Sequence, residues 1–339
     1  MSTDKNSTNI NLLKIVASLM VMFIHVSAVN FPKLGKHEWD VSNFYNSFSR
    51  VCVPIFFMIS GYFLITRNES ATTFYKKRFT KIIPPLVFWS GIFYLYNYMY
   101  VGVPLYNATE LFSRPASAHL WFLYAMFGLY LFTPFISKIY NNSSAKERLI
   151  FIGIWFVTSS IIPVANSTFG MTISTGLFQL TTIYGYIGFF FIGAWIKDNQ
   201  SERDSFAAVA SLFLYILLSL LTMYLTKQFS YNSGRPNGTF YSYLSPFVII
   251  GAIALFYFFI SIKIDNTIVV KIANMFSSFA LGVYCIHTLF IWPLAKEFHI
   301  GGDVNPTESY ILITTLIVFF TSCIFSYFGS KIPFVKRMF

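Results

Sequence analysis

The fold is decided by Asn11-Leu12-Leu13-Lys14-Ile15-Val16-Ala17-Ser18-Leu19-Met20-Val21-Met22-Phe23-Ile24-His25. The stretch is too apolar for a helix that faces water, yet it carries a cation and an imidazole. Spacings of three, four and seven keep residues on a common helical face, so Asn11, Lys14, Ser18 and His25 project from one side. Lys14 and His25 stand about 16.5 Å apart along the axis and line one wall at different depths. The surrounding apolar run is long enough to cross about 30 Å of hydrocarbon. An ionisable side chain at that depth is costly and is ordinarily turned toward a cavity, a proton path or a substrate route. The plainer reading is a packing histidine bonded to a neighbouring carbonyl.

The rest of the 339 residues agrees: 55% are hydrophobic and 11% charged, against about 25% charged in soluble domains. A single aqueous core cannot hide so much apolar surface. Spans are read at 10–31, 43–66, 82–100, 119–139, 148–164, 177–195, 205–226, 239–262, 272–296 and 308–330. The expectation is an all-α, polytopic transmembrane bundle of about ten spans, forming one integral membrane domain over 1–339. A net charge of +11 would suit nucleic acid only if the basic residues shared one polar surface, and here they sit in short loops between apolar runs. About two-thirds of the 24 lysines and arginines fall in the N-terminus and in 67–81, 138–148, 197–203, 263–271 and 331–337, Lys5 and Arg203 among them. By the positive-inside rule that side is cytoplasmic, giving a multi-pass protein with both termini inside; that the membrane is the bacterial plasma (inner) membrane is what the resemblance carried by the tracts below implies. Val26-Ser27-Ala28 imitates a signal-peptidase site, but Lys14 lies too deep in the segment for a leader, and the span is read as retained. Cys52, Cys285 and Cys323 fall inside apolar runs, with neither a disulfide framework nor metal-ligand spacing.

Five tracts carry a resemblance. They are Lys14-x10-His25, Pro54-Ile55-Phe56-Phe57-Met58-Ile59-Ser60-Gly61, Tyr75-Lys76-Lys77-Arg78-Phe79-Thr80-Lys81-Ile82-Ile83-Pro84, His119-Leu120-Trp121, and Leu281-Gly282-Val283-Tyr284-Cys285-Ile286-His287. Together, and in this order, they resemble the bacterial acyltransferase-3 family of integral membrane transferases over nearly the whole chain. Within that family, Trp39-Asp40 through Gly61 and His119 through Pro134 look most like a glycan O-acetyltransferase. The resemblance implies that Lys14 and His25 are the family's essential basic residue and histidine, and that Arg78 and Lys81 correspond to its cytoplasmic Arg-x-x-Arg element. Asn11 stands where many relatives have an acidic residue, so no carboxylate is expected to orient Lys14. Lysine replaces arginine at 14 and 81, keeping the charge but losing the bidentate fork.

These readings combine into an expected chemistry. The donor is acetyl-CoA or another acyl-CoA, bound as a substrate rather than as a permanent cofactor. Its phosphates need fixed cations at the inner face, which Lys76, Lys77, Arg78 and Lys81 supply, although topology alone would also put lysines there. Arg50, His119, Trp121 and His287 start or line their spans at the outer half and are the acceptor-side candidates. Neutral imidazole at His25 takes the proton of a glycan hydroxyl as it attacks the thioester, or carries the acyl group itself. Ser60-Gly61 is read either as an oxyanion donor or as a small pair permitting close helix packing. The competing class is a transporter or flippase of a glycan or small metabolite, which also buries isolated histidines and lysines. A membrane sensor or scaffold would leave the Lys14/His25 stripe without a task.

The loop charges make the orientation testable. A cysteine placed in 67–81 is expected to resist an impermeant thiol reagent applied to intact cells, while one in 101–118 is labelled. The opposite pattern reverses the bundle and removes any cytosolic donor site at Arg78 and Lys81.

Overall fold

The computed structural model describes residues 7–103, 108–177, 185–200, 204–264 and 266–339. Lys5 and Arg203 lie outside the described residues, as do 178–184 of the expected span 177–195. The described chain is helical and without strands, because a lipid-immersed segment must satisfy its backbone polar groups within itself. Seven helices are long and apolar enough to cross a membrane, and an eighth is added if Thr267–Ile286, bent by 50°, counts as one span.

At the centre runs α1 (Ser7–Ser27). Packed around it are α2 (His37–Ser49), α3 (Cys52–Leu64), α10 (Pro246–Ser261), α11 (Thr267–Ser277), α12 (Ala280–Ile286) and α14 (Thr307–Lys331). An outer group comprises α4 (Ala71–Tyr96), α5 (Trp121–Asn142), α6 (Ala145–Phe156), α7 (Ile162–Phe169), α8 (Ile187–Asp198), α9 (Ser205–Ser233) and α13 (Thr288–Phe298). The position of α1 follows from its polar stripe, which only neighbouring helices can shield from lipid. Polar bonds pin it at both ends. The Asn9 amide donates to the carbonyls of Phe259 (2.6 Å) and Ile262 (2.8 Å). At the other end Asn30 donates to the Gly302 carbonyl (2.6 Å), and a Cβ on Gly302 would lie 2.2 Å from the Val26 carbonyl oxygen. The 299–306 loop is thus clasped over the His25 end of α1.

Three expectations change. Arg50 does not open a span from outside: the helical run extends back to His37 and breaks at Arg50–Val51, so the guanidinium stands in mid-span between α2 and α3. The basic tract 76–81 is not loop. The Ser70 hydroxyl accepts from the Thr73 amide (3.4 Å) and starts α4 at Ala71, so Arg78 and Lys81 project from a helix. Pro84 and Pro85 therefore lie inside α4 rather than at its start, and deprive the carbonyls of Thr80 and Lys81 of their intrahelical donors. With its basic residues and prolines, α4 is not among the seven apolar spans despite its 26 residues.

The packing reading of Ser60-Gly61 is met at Gly61. A Cβ on Gly61 would lie 2.2 Å from the Phe190 carbonyl oxygen, and one on Gly193 would lie 2.0 Å from that of Met58. The two glycines let α3 and α8 touch backbone to backbone. Gly193→Ala is expected to force them apart and cost about 1–3 kcal/mol. The check is a lowered melting temperature in detergent with helical content retained; an unchanged melt would show that the crossing has slack.

Candidate active site

Helical periodicity brings the α1 stripe to the interior as expected, and the neighbouring helices complete it. The Lys14 ammonium donates to Asn11 Oδ1 (3.2 Å) and lies 5.7 Å from the Phe63 ring centre. Asn11 in turn donates to Asn274 Oδ1 of α11 (2.9 Å). A neutral amide therefore does the orienting that an acid would do, and leaves the lysine charge uncancelled. Lys14 and Lys81 line one cavity of about 400 Å³ together with Ser60, Tyr130, Ser277 and Tyr284. Arg78 is half-buried one turn before Lys81, within electrostatic reach of the wall residue Tyr130, with its Nε buried and unbonded. Lys76 and Lys77 are exposed, and Lys77 pairs with Glu69.

At the other end of the stripe three imidazoles converge. His25 lies 5.1 Å from His287 and 6.2 Å from His119 between ring centres, and His119 lies 5.1 Å from His287. Their hydrogen bonds give them different capacities. His119 donates from Nε2 to the Cys285 carbonyl (3.1 Å), so its Nδ1 accepts, and Ser117 Oγ stands at 3.0 Å. Both of its nitrogens are engaged. His287, at the junction of α12 and α13, donates from Nδ1 to the Tyr284 carbonyl (2.7 Å), which leaves a lone pair on Nε2. That Nε2 is buried and has no hydrogen-bond partner. Among the described residues no hydrogen bond engages the His25 ring, which lines a narrow cavity of about 30 Å³ with His119, Trp121 and Tyr284. Tyr284 knits the group together, its hydroxyl donating to the His119 carbonyl. No group of histidine, cysteine or acidic side chains among the described residues is arranged to hold a metal ion.

Beyond the histidines a third cavity of about 450 Å³ is lined by Asn46, Arg50, Tyr186, Tyr241, Ser242 and Tyr243. Trp121 stacks on Tyr243 (5.8 Å, 20°) and meets Tyr186 at 5.4 Å, making the wall between this chamber and the histidines. The three cavities lie in succession and share walls. Phe56, Phe122 and Tyr284 line both the Lys14 chamber and the narrow one, and Tyr243 lines both the narrow one and the Arg50 chamber.

With this geometry in view the comparisons can be read. The acyltransferase-3 family model, an acyltransferase domain, matches residues 7–330. The chain belongs to that family. Among the described residues seven helices are long and apolar enough to cross a membrane, so the family's domain is here a multi-pass one. Among curated proteins it resembles an amino-acid racemase of Enterococcus faecalis, 24% identical over an alignment of 248 residues that covers 66% of this chain and 33% of the relative. It also resembles a serine/alanine racemase of Enterococcus gallinarum, 25% identical over 240 residues covering 62% of this chain and 32% of the relative. The chain spans about a third of the length of these relatives. No solved structure matches it.

Sequence reasoning named every histidine of the cluster and both cations of the Lys14 chamber. It passed over Tyr186, Tyr243 and Tyr284, since 22 tyrosines and 41 phenylalanines leave aromatic identity without signal. Tyr284 at least stood inside a quoted motif.

The hydrogen bonds of His119 mark it as structural. His119→Gln keeps a donor for the Cys285 carbonyl and is expected to melt close to wild type, whereas His119→Ala should lose about 1–3 kcal/mol. Equal melting of the two variants in detergent would remove this bond from the stability of the site.

Proposed function

We propose that the protein moves an acyl group, most simply acetyl, from cytosolic acyl-CoA to a hydroxyl of a cell-surface or lipid-linked glycan. The observation that supports this reading is the succession of cavities, with Lys14 and Lys81 lining one end, Arg50 among aromatic walls at the other and His25 on the narrow cavity between them. The family supplies the acyl chemistry. The resemblance of Trp39–Gly61 and His119–Pro134 to the O-acetyltransferase of enterobacterial common antigen favours acetyl and a glycan.

In this reading the Lys14 chamber faces the cytosol and receives the phosphates of acyl-CoA, with Lys81 at its lining and Arg78 behind it. The pantetheine arm follows the α1 wall and brings the thioester to His25. The acceptor enters the chamber beyond Trp121, whose stacked rings offer flat apolar faces to a sugar. His25 takes the hydroxyl proton as the oxygen attacks the thioester carbonyl, and the thiolate of CoA leaves and is protonated. The unpaired Nε2 of His287 lies beside it to accept or steady that proton. Transient acylation of His25 is the other route the same geometry serves.

A transporter is favoured by one feature, the broken helices at Arg50 and at residues 277–280. The narrow cavity weighs against it, since about 30 Å³ holds one water and no sugar. Transfer requires only that two reactants meet there.

The test separates chemistry from donor binding in purified, detergent-solubilised protein. His25→Gln is expected to reduce acyl transfer at least about 10²-fold while CoA affinity survives. Lys14→Gln with Lys81→Gln should instead weaken CoA binding. Substantial transfer by a folded His25→Gln protein would remove His25 from the mechanism, and unchanged CoA affinity in the lysine variants would remove the donor site.

A further inference from the structure

Among the described residues Arg50 is a cation without a counter-ion. Its Nη2 donates to Asn46 Oδ1 (2.7 Å), and its guanidinium lies over Tyr241 at 4.6 Å and near Tyr243 at 5.7 Å. Its Nε is buried with no hydrogen-bond partner, and it forms no ion pair among the described residues. Among the described residues no acidic side chain lines the chamber of about 450 Å³ that it faces. A ring face and an amide oxygen offset part of the cost of withdrawing a guanidinium from water, and neither neutralises it.

The surroundings hold this charge in place. Asn46 donates its own amide to Ser27 Oγ (2.6 Å) and the Ser42 carbonyl (3.1 Å), which turns its oxygen onto Arg50. Tyr241 donates its hydroxyl to Asn43 Oδ1 (2.5 Å), and that fixes the ring beneath the guanidinium. A chamber with a fixed, half-buried cation, no anion of its own among the described residues and tyrosines on its walls is built to receive a negative group attached to a ring.

We propose that the Arg50 chamber binds the carboxylate or phosphate of an acidic sugar, so that the acceptor is an anionic glycan unit rather than a neutral one. This rests on the assignment of that chamber to the acceptor. Tyr243 lines both this chamber and the narrow one at His25, and the Arg50 charge is close enough to act on the His25 ring. A sugar anchored by its acid on Arg50 therefore presents its hydroxyls toward the imidazole. The arginine fork suits either anion, and the planar, bidentate match that lysine lacks makes Arg50→Lys a sensitive probe.

The experiment uses the full chain in detergent with three probes: methyl glucoside, methyl glucuronide and glucose 6-phosphate. Binding is read by quenching of intrinsic fluorescence. Charged sugars are expected to bind at least 10-fold more tightly than the glucoside. That preference should shrink below 3-fold in Arg50→Gln and fall to an intermediate level in Arg50→Lys, with CoA affinity unchanged in both. The ranking of glucuronide and phosphate tells carboxylate from phosphate. Equal affinity for all three probes, no binding of either charged sugar, or a full preference surviving in Arg50→Gln overturns the proposal. If Arg50→Gln does not fold, Arg50→Lys with unaltered charge preference does the same. Acyl transfer to the neutral glucoside as fast as to the charged sugars would sink this inference and leave the transferase reading standing. Charged-sugar binding at Arg50 without any transfer would leave the anion site standing and sink the transferase reading together with the acceptor role of the chamber.

Discussion

A lysine and a histidine on one face of a lipid-immersed helix cannot be left to hydrocarbon, and this bundle is arranged around that restriction. Because Lys14 and His25 share the α1 stripe, α1 has to be central, with other helices covering it on every side. Those helices cannot all be regular. Where they meet the stripe they break: α2 gives way to α3 at Arg50, and the 267–298 segment turns at residues 277–280 and again at His287. Each break brings a polar side chain or a free backbone group to the cavity that the stripe demands.

Much of this could be read from the chain, and the division is physical. The stripe on α1 was legible because helical periodicity is local and fixes which residues share a face. His119 and His287 were legible as companions of His25 because equal depth in the membrane follows from counting along each span. Their roles were not, since the Nδ1 of His287 is engaged by a carbonyl three residues back, while His119 reaches across to Cys285. Arg50 was misplaced because a hydropathy window starts a span where apolar residues begin, whereas the polar run His37–Ser49 is helical through its contacts with α1 and α9. The early start of α4 was hidden for a related reason. Its basic first turns look like loop until Ser70 is recognised as a cap.

Asn11 shows how a departure from a family pattern can be absorbed. An acid at that position would pair with Lys14 and cancel it. The amide bonds the ammonium and passes its own donor to Asn274, so position is kept and charge is not spent. The chamber beside it, lined by Lys14 and Lys81, remains electropositive. The same economy governs Arg50 at the far end, where rings and an amide hold a guanidinium without neutralising it.

The narrow cavity at His25 has a bearing on the membrane as a whole. Two chambers of about 400 and 450 Å³ approach each other through the bundle, and the cavity that lies between them holds only about 30 Å³. Were that neck as wide as its neighbours, a file of water would run from one face to the other past three imidazoles and carry protons down their gradient. The aromatic collar of Phe56, Trp121, Phe122 and Tyr243 therefore acts as electrical insulation.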